Sequence, residues 1–159
     1  MMKRTLAVLL LVTLLVACLP AAALADSQSK VYRVNTKSDP LMVHSSPNDS
    51  KSSRIGFLSK NSAVTVLQRS GKWWKIKAAK GLVGWVFSAY LKEGAYARVN
   101  TKETGLNIHK TRDFNKKSII GSAPKGAQVT VMAVQGSFAN VIYGKLKGWS
   151  SRNYLKWIA

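Results

Sequence analysis

One cysteine, two histidines and six acidic residues are all that the 159-residue sequence holds of the common catalytic and metal-binding side chains. One cysteine excludes a disulfide framework and a cysteine-based zinc site. Six carboxylates, namely Asp26, Asp39, Asp49, Glu93, Glu103 and Asp113, leave little for paired-carboxylate catalysis, because most fall in turns or tails. No Gly-x-Ser-x-Gly elbow, His-Glu-x-x-His helix or glycine-rich phosphate loop is present. The sequence therefore reads as that of a non-enzyme that requires no cofactor and no metal. After residue 26 no stretch sustains apolar residues at helical spacing, which argues against a helical fold.

Positive charge is what the chain has in excess. Lysine and arginine number 25, for a formal net charge of +19. Lys51, Lys60, Lys72, Lys80, Lys116, Lys117, Lys125, Lys145 and Lys147 spread that charge over nearly every loop. Such a surface asks for a polyanion as partner. Nucleic acid would suit the charge, but the N-terminus argues for another compartment.

Residues 1–25 read as an export signal. Lys3 and Arg4 precede an apolar run from Thr5 to Leu19, Pro20 breaks it, and Ala23-Leu24-Ala25 supplies small residues for cleavage. The run is short for a membrane span. Cleavage after Ala25 leaves a cysteine-free mature chain with no transmembrane segment. Leu15-Val16-Ala17-Cys18 resembles a lipobox, which makes a lipoprotein anchored at Cys18 the alternative. In an exported protein the abundant polyanions are peptidoglycan and other anionic envelope polymers.

The remainder is one unit written twice. Arg33-Val34-Asn35-Thr36-Lys37 recurs as Arg98-Val99-Asn100-Thr101-Lys102. The same offset pairs His44 with His109, Ile55-Gly56 with Ile120-Gly121 and Val64-Thr65-Val66 with Val129-Thr130-Val131. One residue shorter, it pairs Gly84-Trp85 with Gly148-Trp149 and Tyr90-Leu91-Lys92 with Tyr154-Leu155-Lys156. Short alternating runs such as Val64-Thr65-Val66 and Trp74-Lys75-Ile76 read as half-buried strands, separated by turns such as Ser70-Gly71-Lys72. The expected fold is all-β: two tandem small barrels at 30–93 and 95–157, joined by a very short linker at Glu93-Gly94-Ala95.

Leu41-x-Val43-x-x-x-Pro47, Ile55-Gly56, Val64-x-Val66, Gly71-x-Trp73-x-Lys75-Ile76, Gly84-Trp85-Val86 and Tyr90-Leu91 together resemble the bacterial SH3-like (SH3b) domain family. The second copy supplies Gly105-Leu106-Asn107-Ile108, Lys125-Gly126, Val129-x-Val131, Gly148-Trp149 and Tyr154-Leu155. The resemblance implies a barrel of five to six strands per copy, with a helical turn before the last strand. It also implies export, and a role in holding proteins on peptidoglycan. His44 and His109 stand where the family commonly has arginine, and no catalytic domain accompanies the two copies. The implied function is a non-enzymatic envelope-binding protein, with docking onto another envelope protein or hydrolase as the alternative.

Candidate ligand contacts are Trp73, His44 and Tyr90 in the first copy, and Phe138, His109 and Tyr154 in the second. Trp73 and Trp74 are adjacent on a strand and must face opposite ways. Trp74 is in phase with Ile76 and is expected inside, so Trp73 is expected at the surface. Its counterpart Phe138 is smaller, which makes the first copy the expected better binder. Each histidine is expected to be a partly exposed strand residue beside a loop.

Overall fold

Valine-rich alternation without helical periodicity produces strands, and a computed structural model, which describes residues 28–158, is all-β. Residues 1–25, which the sequence marks as an expected export signal, and Cys18 within them lie outside the described residues. The first half runs β1 (Ser29–Val34), β2 (Leu41–His44), β3 (Arg54–Leu58), β4 (Ala63–Ser70), β5 (Trp73–Ala78), β6 (Val83–Phe87) and β7 (Leu91–Glu93). The second runs β8 (Ala95–Val99), β9 (Leu106–His109), β10 (Ile119–Ala123), β11 (Gln128–Gln135), β12 (Phe138–Tyr143), β13 (Leu146–Ser151) and β14 (Leu155–Trp157). A single 3₁₀ turn, Ser88–Tyr90 or Arg152–Tyr154, precedes the last strand of each half, where the resemblance implied it.

Every pairing is antiparallel, and the order repeats. Strands lie β3-β2-β6-β5-β4-β1-β7 in the first half and β10-β9-β13-β12-β11-β8-β14 in the second. Each half thus has seven strands rather than five or six. The additional pairings come from the three-residue strands β7 and β14, which lie against β1 and β8. Bulges fall at matching places, between Val66 and Gln68 in β4 and between Val131 and Ala133 in β11. An extra residue there bends the strand and tightens its twist.

Two glycines set the closest strand approach. A Cβ on Gly84 would stand 2.5 Å from Val43 Cγ1 and 2.7 Å from the His44 carbonyl oxygen. Gly148 meets Ile108 Cγ2 and the His109 carbonyl oxygen in the same way. These glycines let β6 lie against β2, and β13 against β9, beside each histidine.

The halves are joined through β1. Ser29 and Lys30 pair with Val134 and Ala133 of β11, while Val31 to Arg33 pair with β4. Val31 and Ala63 belong to the apolar cluster of the second half, with Val99, Ile108 and Val131, whereas Tyr32 and Val34 pack into that of the first. Arg33 is buried at this joint. Its guanidinium donates to the carbonyls of Glu93 (3.1 Å) and Gly94 (2.6 Å) and lies 4.5 Å from the Tyr96 ring centre. Its repeat partner Arg98 is exposed and donates to the Gly126 carbonyl at 2.9 Å.

Candidate functional site

Each half carries a cleft built from equivalent positions. The first, about 700 Å³, is walled by the segment Asn35–Met42, His44 and Asp49, with Phe87, Ala89 and Tyr90 opposite. The second, about 900 Å³, is walled by Thr101–Asn107, His109 and Phe114, with Ser151 and Tyr154 opposite. The strand ends of β2 and β9 place the histidines, and the 3₁₀ turns place Tyr90 and Tyr154, each 47% exposed.

The histidines are not partly exposed strand residues. His44 is 1% exposed and His109 is 5% exposed. Burial follows from the Gly84 and Gly148 approach, which packs β6 and β13 against the strand ends. In each half a ring nitrogen is held by the loop that follows the histidine. His44 Nδ1 lies 2.8 Å from Ser53 Oγ, whose own hydrogen goes to the Ser50 carbonyl at 2.7 Å. A hydroxyl has one hydrogen, so Ser53 accepts here and His44 donates from Nδ1. His109 Nδ1 lies 3.0 Å from Ser118 Oγ and 3.1 Å from the Asn115 carbonyl oxygen, which can only accept. Both rings therefore carry the Nδ1 proton, and Nε2 remains for other partners.

The loop itself is braced by side-chain to backbone bonds. Asn48 Oδ1 accepts from the Ser50 amide at 3.1 Å, and Ser50 Oγ accepts from the Ser52 amide at 3.3 Å. In the second half Asp113 Oδ1 accepts from the Asn115 amide at 3.0 Å, and Asn115 Oδ1 from the Lys117 amide at 3.0 Å. Local bonds of this kind fix turns. Donation from the Asn115 amide, then from Ser118 Oγ at 2.9 Å, holds the Asp113 carboxyl below its ordinary value of 3.8.

Of the six candidate residues, His44 and Tyr90 line the first cleft, and His109 and Tyr154 the second. Trp73 and Phe138 line neither. Trp73 is a correction: it is 6% exposed and packs edge-on to His44 at 5.2 Å and against Phe87 at 4.0 Å. Trp74 does pack against the first core, as its phase with Ile76 implied, and meets the Tyr32 ring at 5.4 Å. The error lay in taking the opposite face of β5 for solvent. His44 and Phe87 cover it. Phe138 is half-buried and stacks on Phe114 at 4.2 Å, one layer behind the cleft wall.

Asp49, Phe87, Phe114 and the Thr36/Thr101 pair escaped sequence reasoning. For Asp49, Phe87 and Phe114 the signal was divergence between the copies, since Asp49 aligns with Phe114 and Phe87 with Ser151, whereas the two threonines are identical and carried no such mark.

Residues 39–92 match the bacterial SH3 domain family. The matched segment begins at Asp39, inside the cleft-forming stretch, and ends one residue short of the end of β7. It therefore carries His44, Asp49 and Tyr90 of the first cleft. No curated protein matches the sequence. Among solved structures, the chain is similar to NlpC2 of Trichomonas vaginalis, with 16% identity, a TM-score of 0.43, and coverage of 82% of this chain and 48% of that one. For NlpC1 of the same organism the identity is 17%, the TM-score 0.42, and the coverage 80% and 45%. The chain thus spans about half the length of each. Among the described residues no helix is long and apolar enough to cross a membrane, and no cluster of His, Cys, Asp and Glu is arranged to hold a metal.

Proposed function

We propose that this chain is an exported, non-enzymatic binding protein of the cell envelope, with modules at 30–93 and 95–157. Each module engages short segments of peptidoglycan or its peptide stems in its cleft. The observation that carries this reading is the repetition of the cleft itself. A threonine, a histidine and a tyrosine recur at equivalent places in both copies: Thr36, His44 and Tyr90, then Thr101, His109 and Tyr154. The bacterial SH3 match over 39–92 supports the same reading. The mechanism is equilibrium binding by two weak sites held on one chain, each raising the effective concentration at the other. Lysines outside the clefts add attraction to anionic polymers that falls with salt, since exposed charges are screened beyond about 8 Å at physiological ionic strength.

Co-sedimentation of the full chain with purified sacculi over a salt series tests this. Binding that weakens as salt rises, and that Tyr90→Ala with Tyr154→Ala reduces, is expected, because these two cleft residues are exposed and their truncation leaves the core intact. Absence of pelleting at every salt concentration overturns it.

A second reading, docking onto another envelope protein or hydrolase, is favoured by the edge strand β3. Phe57 on it is 63% exposed and Ile55 47% exposed. An unpaired edge with exposed apolar side chains is suited to protein contact. Loss of partner capture on Phe57→Lys, with sacculus binding absent, would select this reading.

A further inference from the structure

The two clefts differ in sign. The first is lined by two carboxylates, Asp39 and Asp49, and one ammonium, Lys37; the second by one carboxylate, Glu103, and two ammoniums, Lys102 and Lys116. In a chain of net charge +19, two of its six acidic residues face one cleft. We propose that the first cleft is a receptor for a primary ammonium group and that the second is not.

Asp49 Oδ1 lies 4.0 Å from His44 Nε2, the ring nitrogen not engaged by Ser53, so a carboxylate and an imidazole edge share one wall. At the equivalent position the second cleft has Phe114, set edge-on to His109 at 5.9 Å and stacked on Phe138. There an aromatic face replaces the carboxylate.

An independent feature points the same way. Thr36 lines the first cleft, is only 9% exposed, and its hydroxyl has no hydrogen-bond partner. The corresponding Thr101 hydroxyl donates to the Thr104 carbonyl. In the first copy that acceptor would be the Asp39 carbonyl, but Pro40 stands where the second copy has Gly105, and a proline narrows the conformations open to the residue before it. A buried hydroxyl without a partner is rare in folded proteins. An ammonium brings three donors and no acceptor. Asp49 and Asp39 present carboxylates to the cleft against the single lining ammonium of Lys37, and the buried Thr36 oxygen and His44 Nε2 add acceptor character to the wall behind them.

This inference rests on the cleft-binding reading above, and its test separates the two. The probe is the tripeptide Ala-Glu-Lys with free amines, compared with the same peptide acetylated at both amines. Both are titrated into the ¹⁵N-labelled chain and followed by amide chemical shifts. The free peptide should shift Thr36, His44 and Tyr90 saturably in the millimolar range, and acetylation should weaken that response by about tenfold. Asp49→Asn should weaken it by about threefold to fivefold, a modest change because the Asp49 side chain is 70% exposed and its field is screened. Dispersed amide resonances in the variant establish that it is folded. Thr101, His109 and Tyr154 should not show this amine dependence. The proposal is overturned if the free peptide leaves the first cleft unmoved, if the acetylated peptide binds as well, if Asp49→Asn changes nothing, or if the second cleft responds to the amine as strongly. Sacculus binding that persists through any of these outcomes leaves the envelope-binding reading standing and removes only the ammonium assignment.

Discussion

Ser53 accepts a hydrogen bond from the buried His44 ring at 2.8 Å while donating its own hydrogen to the Ser50 carbonyl at 2.7 Å, so one hydroxyl ties the cleft wall to the loop beside it. In the second half Ser118 likewise accepts from His109, but its own hydrogen goes to Asp113 Oδ1 at 2.9 Å, and the ring nitrogen also reaches the Asn115 carbonyl oxygen at 3.1 Å.

That difference sets an unequal outcome for two matching substitutions. Ser53→Ala strands the Nδ1–H of a histidine that is 1% exposed and should cost about 1–3 kcal/mol. Ser118→Ala leaves Asn115 as acceptor and should cost about 0.5–1 kcal/mol. Denaturant unfolding of the two variants checks the order; equal losses would show that the loop, not the ring, feels the hydroxyl.

Trp73→Ala should act on stability. The indole fills the space between His44 and Phe87 and is 6% exposed, so truncation leaves a cavity costing about 3–5 kcal/mol. Phe138→Ala, at a half-buried position, should cost less. Thermal melting reads this directly. A folded, equally stable Trp73→Ala protein with only a binding defect would contradict the packing seen here.

The all-β fold was legible because alternation is local to each strand, whereas the burial of both histidines was not, since it depends on Gly84 and Gly148 of neighbouring strands. Alternation placed Trp74 and Ile76 against the core, and Ala139 and Val141 in the second half follow the same phase. Alternation says nothing about what covers the other face. For Trp73 that cover is Phe87 from the neighbouring strand and His44 from β2, both contacts made across the sheet. The role of Asp49 was hidden for a related reason: within Ser-Ser-Pro-Asn-Asp-Ser it reads as a solvated turn residue, and only the chain path brings it beside His44. The junction through β1 was equally silent, since Val31 looks alike whichever core it enters.

At that junction Arg33 and Arg98 should part company. Arg33→Ala removes two bonds to carbonyls at the β7–β8 turn and the guanidinium packed on Tyr96, for a loss of about 2–4 kcal/mol. Arg98→Ala, exposed and bonded to one surface carbonyl, should stay within about 0.5 kcal/mol of the parent. Calorimetry supplies a second readout: a single transition in the parent should broaden or split in Arg33→Ala as the halves lose their tie. Equal effects of both alanines would mean that the joint depends on Val31 and Ala63 alone.

Thr36→Val and Thr101→Val should move stability in opposite directions. Valine keeps the shape and deletes a hydroxyl that at Thr36 has no partner, so the first variant should gain about 1 kcal/mol, or about 3 °C in Tm. At Thr101 the same change deletes a bond to the Thr104 carbonyl and should cost about 1 kcal/mol. Differential melting of the pair decides it, and a loss at Thr36 would mean that its hydroxyl has a partner in solution.

The loop that braces His109 should weaken in acid, and Asp113 is the residue to follow. Its carboxyl is held below the ordinary 3.8 first by the Asn115 amide and next by Ser118 Oγ. A depressed folded-state value means that the charged form is favoured by folding. The stabilisation is therefore fully present above the ordinary carboxyl range and is lost as pH falls through the lowered folded value. Asp113→Asn keeps an acceptor oxygen but removes the charge, so it should melt below the parent at neutral pH. The gap should begin to narrow below about pH 4, where the carboxyl of the unfolded chain takes up a proton first, and should close as pH falls through the lowered folded value. The first-half counterpart is Asn48, already uncharged, and amide exchange at Ser50 should lack this acid dependence while exchange at Asn115 shows it. A gap between parent and Asp113→Asn that stays constant down to pH 2 would remove the carboxylate from the account of this loop.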